Sequence, residues 1–113
     1  MIYDLEERTA KFGEEVIGFC QNLKRDAINL PLIGQLVRSA TSIGANYCEA
    51  NSASSRRDFK NKISISRKEA NETKHWLRMI AKANPSKSEE SRHLWKEAHE
   101  LTLIFAKIIK KCN

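Results

Sequence analysis

Two carboxylate–imidazole pairs, Glu72 with His75 and Glu90 with His93, have a spacing that could hold a metal. Residues three apart share a helix face. Four-helix carboxylate proteins bind two metal ions with such Glu-x-x-His pairs plus an inward glutamate from each remaining helix. The rest of that constellation is not in the sequence. On a helical wheel His75 points about 160° away from the apolar stripe of its own segment, and His93 falls at the margin of its stripe. The first two helical segments offer no inward glutamate at matching depth. His75, His93 and His99 are therefore expected on the surface, with no metal and no cofactor. Cys20, Cys48 and Cys112 are odd in number and lack metal-ligand or Cys-x-x-Cys spacing, so they read as reduced, mostly buried thiols. No glycine-rich phosphate loop or nucleophile motif occurs, and an enzyme is not expected.

Charge makes a stronger pattern. The net charge is +6, and residues 54–83 alone carry nine Lys/Arg against three Asp/Glu. Residues 1–26 are acidic, 27–53 neutral and 84–113 mildly basic. Within "RRDFKNKISISRKEANETKHWLRMIAKA", Arg56, Lys60, Arg67, Lys74, Arg78 and Lys82 fall on one helical face, with Arg57 and Lys68 alongside. From Lys60 to Lys82 the row is about 33 Å long at ~1.5 Å per residue, the scale of one duplex turn or a short structured RNA. A localised basic surface points to a polyanionic partner. The competing reading is a solubilising face, since no aromatic is interleaved along the row for base stacking.

The same segment has two further faces. Phe59, Ile63, Ser66, Ala70, Thr73, Leu77 and Ile80 form a core-facing stripe that is thin, with small or polar members near its middle. Roughly 80–100° away lie Ile65, Glu69, Glu72, Trp76 and Met79. Apolar ends around two carboxylates predict contact with another subunit through Ile65, Trp76 and Met79; the alternative is that Trp76 covers the edge of its own fold.

A second unusual row occurs in "RSATSIGANYCEA". Leu36, Ala40, Ile43, Tyr47 and Ala50 share the apolar side, while Arg38, Ser42, Asn46 and Glu49 share the opposite one. If that row is buried, each charge needs a partner from elsewhere. An antiparallel turn centred near residue 52 pairs Arg38 with Glu69 and Glu49 with Arg56. Ser42 and Asn46 would satisfy groups between them, and Glu72 belongs to the same polar network. Such a network sets register and oligomer state.

These side chains need long helices to position them. Asp4 and Glu7 form a capping box ahead of Phe12, Val16, Phe19 and Leu23. "RDAINLP" breaks the pattern, with Asn29 a candidate cap and Pro31 suited to a first turn, and a second helix runs to about Ala50. Ser55 and Asp58 cap a third helix reaching Ala83. "NPSKS" breaks the chain, and Ser86 with Glu89 opens a fourth helix striped by Leu94, Ala98, Leu101, Phe105 and Ile108. Four such helices joined by short loops imply an all-α, antiparallel up-down-up-down four-helix bundle, a single domain over residues 1–113. No apolar run approaches the ~20 residues of a membrane span. "MIYDLEERTAKFGEE" is acidic and unlike a signal peptide, so the expectation is a cytoplasmic protein with no membrane partner.

Residues 38–77 resemble the four-helix-bundle family of 23S rRNA intervening-sequence proteins. The pattern is carried by Arg38, Ala40, Ser42, Asn46, Glu49, Ala50, Ser54, Arg56, Phe59, Glu69 and Glu72, and "KEANETKHWL" is especially close to one branch. Ala50 stands where many members have Gly. The match is densest over residues 30–83. The resemblance implies a homo-oligomer, with pentameric rings the arrangement known in the family. The related retroelement accessory proteins imply a nucleic-acid partner, RNA or DNA, and a reverse transcriptase as a protein partner. Two functional readings follow: a non-catalytic nucleic-acid-binding oligomer using the basic face of the third helix, or a protein-interaction scaffold whose charge is incidental. Replacing Lys60 and Arg67 by Glu discriminates between them.

Overall fold

A computed structural model describes residues 4–113, so the first three residues of the acidic N-terminal stretch lie outside the described part. Four helices follow in order: α1 (Leu5–Gln21), α2 (Asn29–Asn51), α3 (Arg56–Ala83) and α4 (Ser88–Lys111). They form an antiparallel four-helix bundle measuring 44 × 24 × 20 Å. α2 packs on α3 and α3 on α4 along their lengths, and α1 lies against α2. The α1–α4 seam is looser and is bridged by Arg8, whose Nε and Nη2 donate to the two carboxylate oxygens of Glu97 at 2.7 and 2.9 Å. No helix among the described residues is long and apolar enough to cross a membrane.

The helix starts show which local signals prevailed. The Asp4 side chain accepts from the Glu7 backbone N–H at 3.1 Å, and Ser55 accepts from the Asp58 N–H at 3.0 Å, both as the capping patterns require. The second start differs from expectation. Asp26, not Asn29, accepts from the N–H groups of Ile28 and Asn29, and Asn29 is buried. Its amide exchanges two hydrogen bonds with that of Asn84 and donates to the Lys24 carbonyl, tying the α1–α2 loop to the end of α3. The fourth start also differs. Pro85–Lys87 form a single 3-10 turn, and α4 begins at Ser88 with no side-chain cap from Ser86.

The apolar stripes meet in one core. Phe12, Val16, Leu36, Ala40, Ile43, Ile63, Ala70, Leu77, Ile80, Ala98, Leu101 and Phe105 are almost fully buried. Of the stripe residues, Phe59, Tyr47 and Ile108 are only half-buried. The small polar members of α3 are buried with their hydroxyls satisfied across the helix contacts. Ser66 Oγ donates to the Ile43 carbonyl at 3.0 Å, and Thr73 Oγ1 lies 2.9 Å from Ser39 Oγ. From α4, Ser91 Oγ donates to the Leu77 carbonyl at 2.7 Å.

Close approach decides one glycine. A Cβ at Gly44 would sit 3.1 Å from Thr9 Oγ1 and 3.3 Å from Thr9 Cβ, and Thr9 is buried with its hydroxyl bonded to the Leu5 carbonyl. A Cβ at Gly34, on the same helix, would meet nothing within 4 Å. Alanine is favoured over glycine inside a helix by about 1 kcal/mol. Thermal unfolding of Gly34→Ala should therefore show a gain of about 1 kcal/mol, several degrees in Tm for a domain this size. Gly44→Ala should lower Tm, because α1 must move off α2; equal gains in the two variants would refute this account of the contact.

Candidate nucleic-acid interface

The buried stripe of α3 dictates what the rest of that helix can do. With Ile63, Ser66, Ala70, Thr73, Leu77 and Ile80 turned inward, the opposite arc is left to solvent. Arg56, Arg57, Arg67, Lys68, Arg78 and Lys82 are exposed there, and Lys60 and Lys74 are half-buried. Among the described residues none of the six exposed cations has a carboxylate within 4 Å. The ion pairs belong instead to Arg8, Arg38, Lys62 and Lys87. Lys60 Nζ hydrogen-bonds the Asn113 side-chain carbonyl.

Lys74 leads to a residue the sequence reading missed. Its ammonium is 3.1 Å from His99 Nδ1 and 5.1 Å from the centre of the Trp95 ring. Trp95 and His99 stack, with centroids 5.2 Å apart and planes 14° from parallel. His99 is thus half-buried, while His75 and His93 are exposed. The row on α3 does have an aromatic beside it, contributed by the neighbouring helix. The signal available in the sequence was the placement of Trp95 and His99 one turn apart, off the α4 core stripe.

The Arg38 row is partly assembled. Arg38 Nη1 donates to Glu69 at 3.3 Å, and Nη2 bonds Glu72, whose Oε1 also accepts from Trp76 Nε1 at 3.2 Å. The cluster is half-buried: the Arg38 side chain is 45% exposed, those of Glu72 and Glu69 33% and 15%. Glu49 does not meet Arg56. It pairs with Lys62 at 2.9 Å, six residues further on, because Ser52–Ser55 lie outside both helices and the first turn of α3 overhangs the end of α2. Nor do Ser42 and Asn46 bridge charges. Each donates to the carbonyl four residues back on its own helix, Arg38 and Ser42 respectively. Ile65, Trp76 and Met79 are half-buried along this same side of α3, and the His75 ring stands edge-on to Trp76.

The cysteines diverge from the mostly buried expectation. Cys20 is buried, Cys112 intermediate and Cys48 exposed. Burial pushes the Cys20 thiol up to about 11. The two Glu-x-x-His pairs do not converge, and among the described residues no group of three or more His, Cys, Asp or Glu is placed to hold a metal ion.

The sequence profile of the 23S rRNA-intervening sequence protein family matches residues 3–109, nearly the whole chain. The chain belongs to that family. A crystal structure of a protein of unknown function from the S23 ribosomal protein family of Bacteroides thetaiotaomicron superposes with a TM-score of 0.82 at 31% identity. The alignment covers 93% of this chain and 97% of that one. No functionally curated protein matches the chain.

In this member of the 23S rRNA-intervening sequence proteins, the hydrogen bonds to Glu72 and Glu69 raise the Arg38 pKa, and Glu72 shifts in the opposite sense. The Trp76 indole N–H, and then Arg38, hold the Glu72 carboxyl below its ordinary value of 4.5 against the opposing effect of partial burial. A lowered folded-state pKa stabilises the fold above the unfolded carboxylate pKa, and that contribution is lost as pH falls through the lowered value. Arg38→Ala should raise the Glu72 pKa, read by carboxyl NMR titration, and cost no more than about 1 kcal/mol at neutral pH because Arg38 itself is exposed. An unchanged Glu72 titration would show that Arg38 does not govern it.

Thiol chemistry offers a separate check. Local desolvation and the neighbouring Glu6 carboxylate raise the Cys48 pKa, with Cys48 Sγ 3.7 Å from Glu6 Oε1. In the native protein Cys48 should react with a disulfide reagent and Cys20 should not. Glu6→Gln should speed Cys48 modification near pH 8 by lowering its pKa; a slower reaction would contradict the assignment.

Proposed function

We propose that this protein is a non-catalytic, oligomeric nucleic-acid-binding module that grips phosphate backbone through the exposed arc of α3. The observation that carries the reading is the row of six exposed cations, Arg56, Arg57, Arg67, Lys68, Arg78 and Lys82, with no carboxylate within ion-pairing distance among the described residues. A row neutralised by its own glutamates would have little left for phosphates. Off the row, cations do have such partners: Arg8 of α1 pairs with Glu97, Lys62 on α3 with Glu49 of α2, and Lys87 with Glu90. Lysine and arginine contacts to phosphate fix position and register but read no sequence, so the expected ligand class is RNA or DNA with backbone-driven affinity.

Membership of the intervening-sequence family and the half-buried Ile65, Trp76 and Met79 support assembly into a homo-oligomer, with a pentamer the form implied by the resemblance. Repeating the α3 row on each subunit would raise avidity. A protein-scaffold reading, with a reverse transcriptase among the partners implied by the resemblance, is favoured by Ile28 and Leu30, exposed at 63% and 53% at the start of α2. The two readings differ in salt dependence.

Fluorescence anisotropy of the protein on labelled duplex DNA and structured RNA, over a salt series, tests the proposal. Binding should weaken linearly in log–log form, with a slope of roughly −5 if six cations each meet one phosphate of duplex DNA. Arg56→Glu with Arg67→Glu should make the slope shallower by about 2 and weaken binding at least about tenfold, with the sedimentation profile unchanged. Absence of binding to either ligand at low salt would overturn the proposal in favour of a protein partner.

A further inference from the structure

A surface cavity of about 500 Å³ opens between α3 and α4, next to the basic row. Its apolar floor is Leu77 and Ala81, its rim carries Arg78, Arg92 and Lys96, and Trp95 forms one wall. No aspartate or glutamate lines it. All three rim cations are exposed. Trp95 is 37% exposed, unusual for a tryptophan at the edge of a well-filled core.

The ring is held at a fixed angle. His99, one turn along α4, stacks on it, and Lys74 bonds that imidazole from α3 while its ammonium lies within cation–π range of the indole. The cavity-lining residues Ser88, Ser91 and Arg92 lie on the other side of Trp95 along the helix, towards its N-terminus. The indole that His99 stacks on is thus also a lining group of the open slot. An apolar floor, an oriented π-face and cations at the mouth fit a flat aromatic ring joined to anions, which describes a nucleotide unit. Arg78 belongs both to this rim and to the α3 row, so a strand following the row passes the slot's mouth.

We infer that the Trp95 slot takes one unpaired nucleobase of the bound nucleic acid, stacked on the indole while Arg78, Arg92 and Lys96 meet its flanking phosphates. A base inside a duplex is already stacked and cannot enter without being extruded, so the slot selects loops, bulges or single strands. Selectivity of this kind needs no base-edge hydrogen bonds and tolerates any sequence. The inference rests on the proposed nucleic-acid binding.

The test compares two RNA ligands, a hairpin with an unpaired loop and a fully paired duplex of similar length, on wild type, Trp95→Ala and Trp95→Phe. Trp95→Ala should weaken hairpin binding roughly tenfold or more, the loss of one base–aromatic stack, and leave duplex binding and its salt slope unchanged. Trp95→Phe should keep most of the hairpin affinity, and the drop in tryptophan emission seen when wild type binds the hairpin should be absent from it. Equal losses on both ligands, or no loss on either, would overturn the slot while leaving backbone binding in place. Failure of wild type to bind either RNA at low salt would overturn the backbone reading and the slot with it.

Discussion

The narrow inward stripe of α3 is the constraint on which the rest of the bundle depends. α3 must serve as the shared neighbour of α2 and α4, and it does so with six buried residues, of which Ser66, Ala70 and Thr73 are small. Small side chains bury little area, so the contact gains from closeness more than from bulk. Closeness in turn needs the hydroxyls to be satisfied across the gap, which Ser66 achieves on the Ile43 carbonyl and Thr73 on Ser39. Ser91 repeats the device from α4. Bulkier residues at these positions would push both neighbours away at once.

A thin stripe leaves most of the α3 circumference outside the core, and that has two consequences on its two flanks. Towards α2, Glu69 and Glu72 bond Arg38, and Glu72 receives the Trp76 indole, so charge there is internally compensated. On the outer arc, Arg56, Arg67 and Arg78 have no ion pair among the described residues. One helix therefore carries a neutralised seam on one flank of its core stripe and an unneutralised row on the other. The same geometry sets Lys74 at the boundary between the row and α4, where it orients His99 against Trp95.

How much of this was legible beforehand follows from the range of each interaction. The apolar period of α3, the capping pair at Ser55 and Asp58, and the four-helix pattern depend on neighbours within a turn or two of sequence, and all were readable. Asp4 was readable for the same reason. The start of α2 was misread because Asp26 and Asn29 are both good caps, and only the distant Asn84 amide gives Asn29 a better use. The Glu49 partner was misread because a register error of a few residues in the α2–α3 turn carries one charge past another.

The sequence by itself determined the helices, their inward faces and the excess of positive charge on the third, because helical periodicity and composition are local properties. The antiparallel turn already brought Arg38 to Glu69. Tertiary structure decided the other meetings across helices, Glu49 with Lys62 and Trp95 with Lys74, pairs whose approach is set by the rotation and axial offset of packed helices. A rotation of a few tens of degrees or a shift of one turn would change every such pair while leaving the hydrophobic pattern intact. Trp95 shows the difference most clearly. In the sequence it is an aromatic beside the core stripe of the fourth helix; in the fold it is the wall of a cavity whose mouth is lined by arginine and lysine.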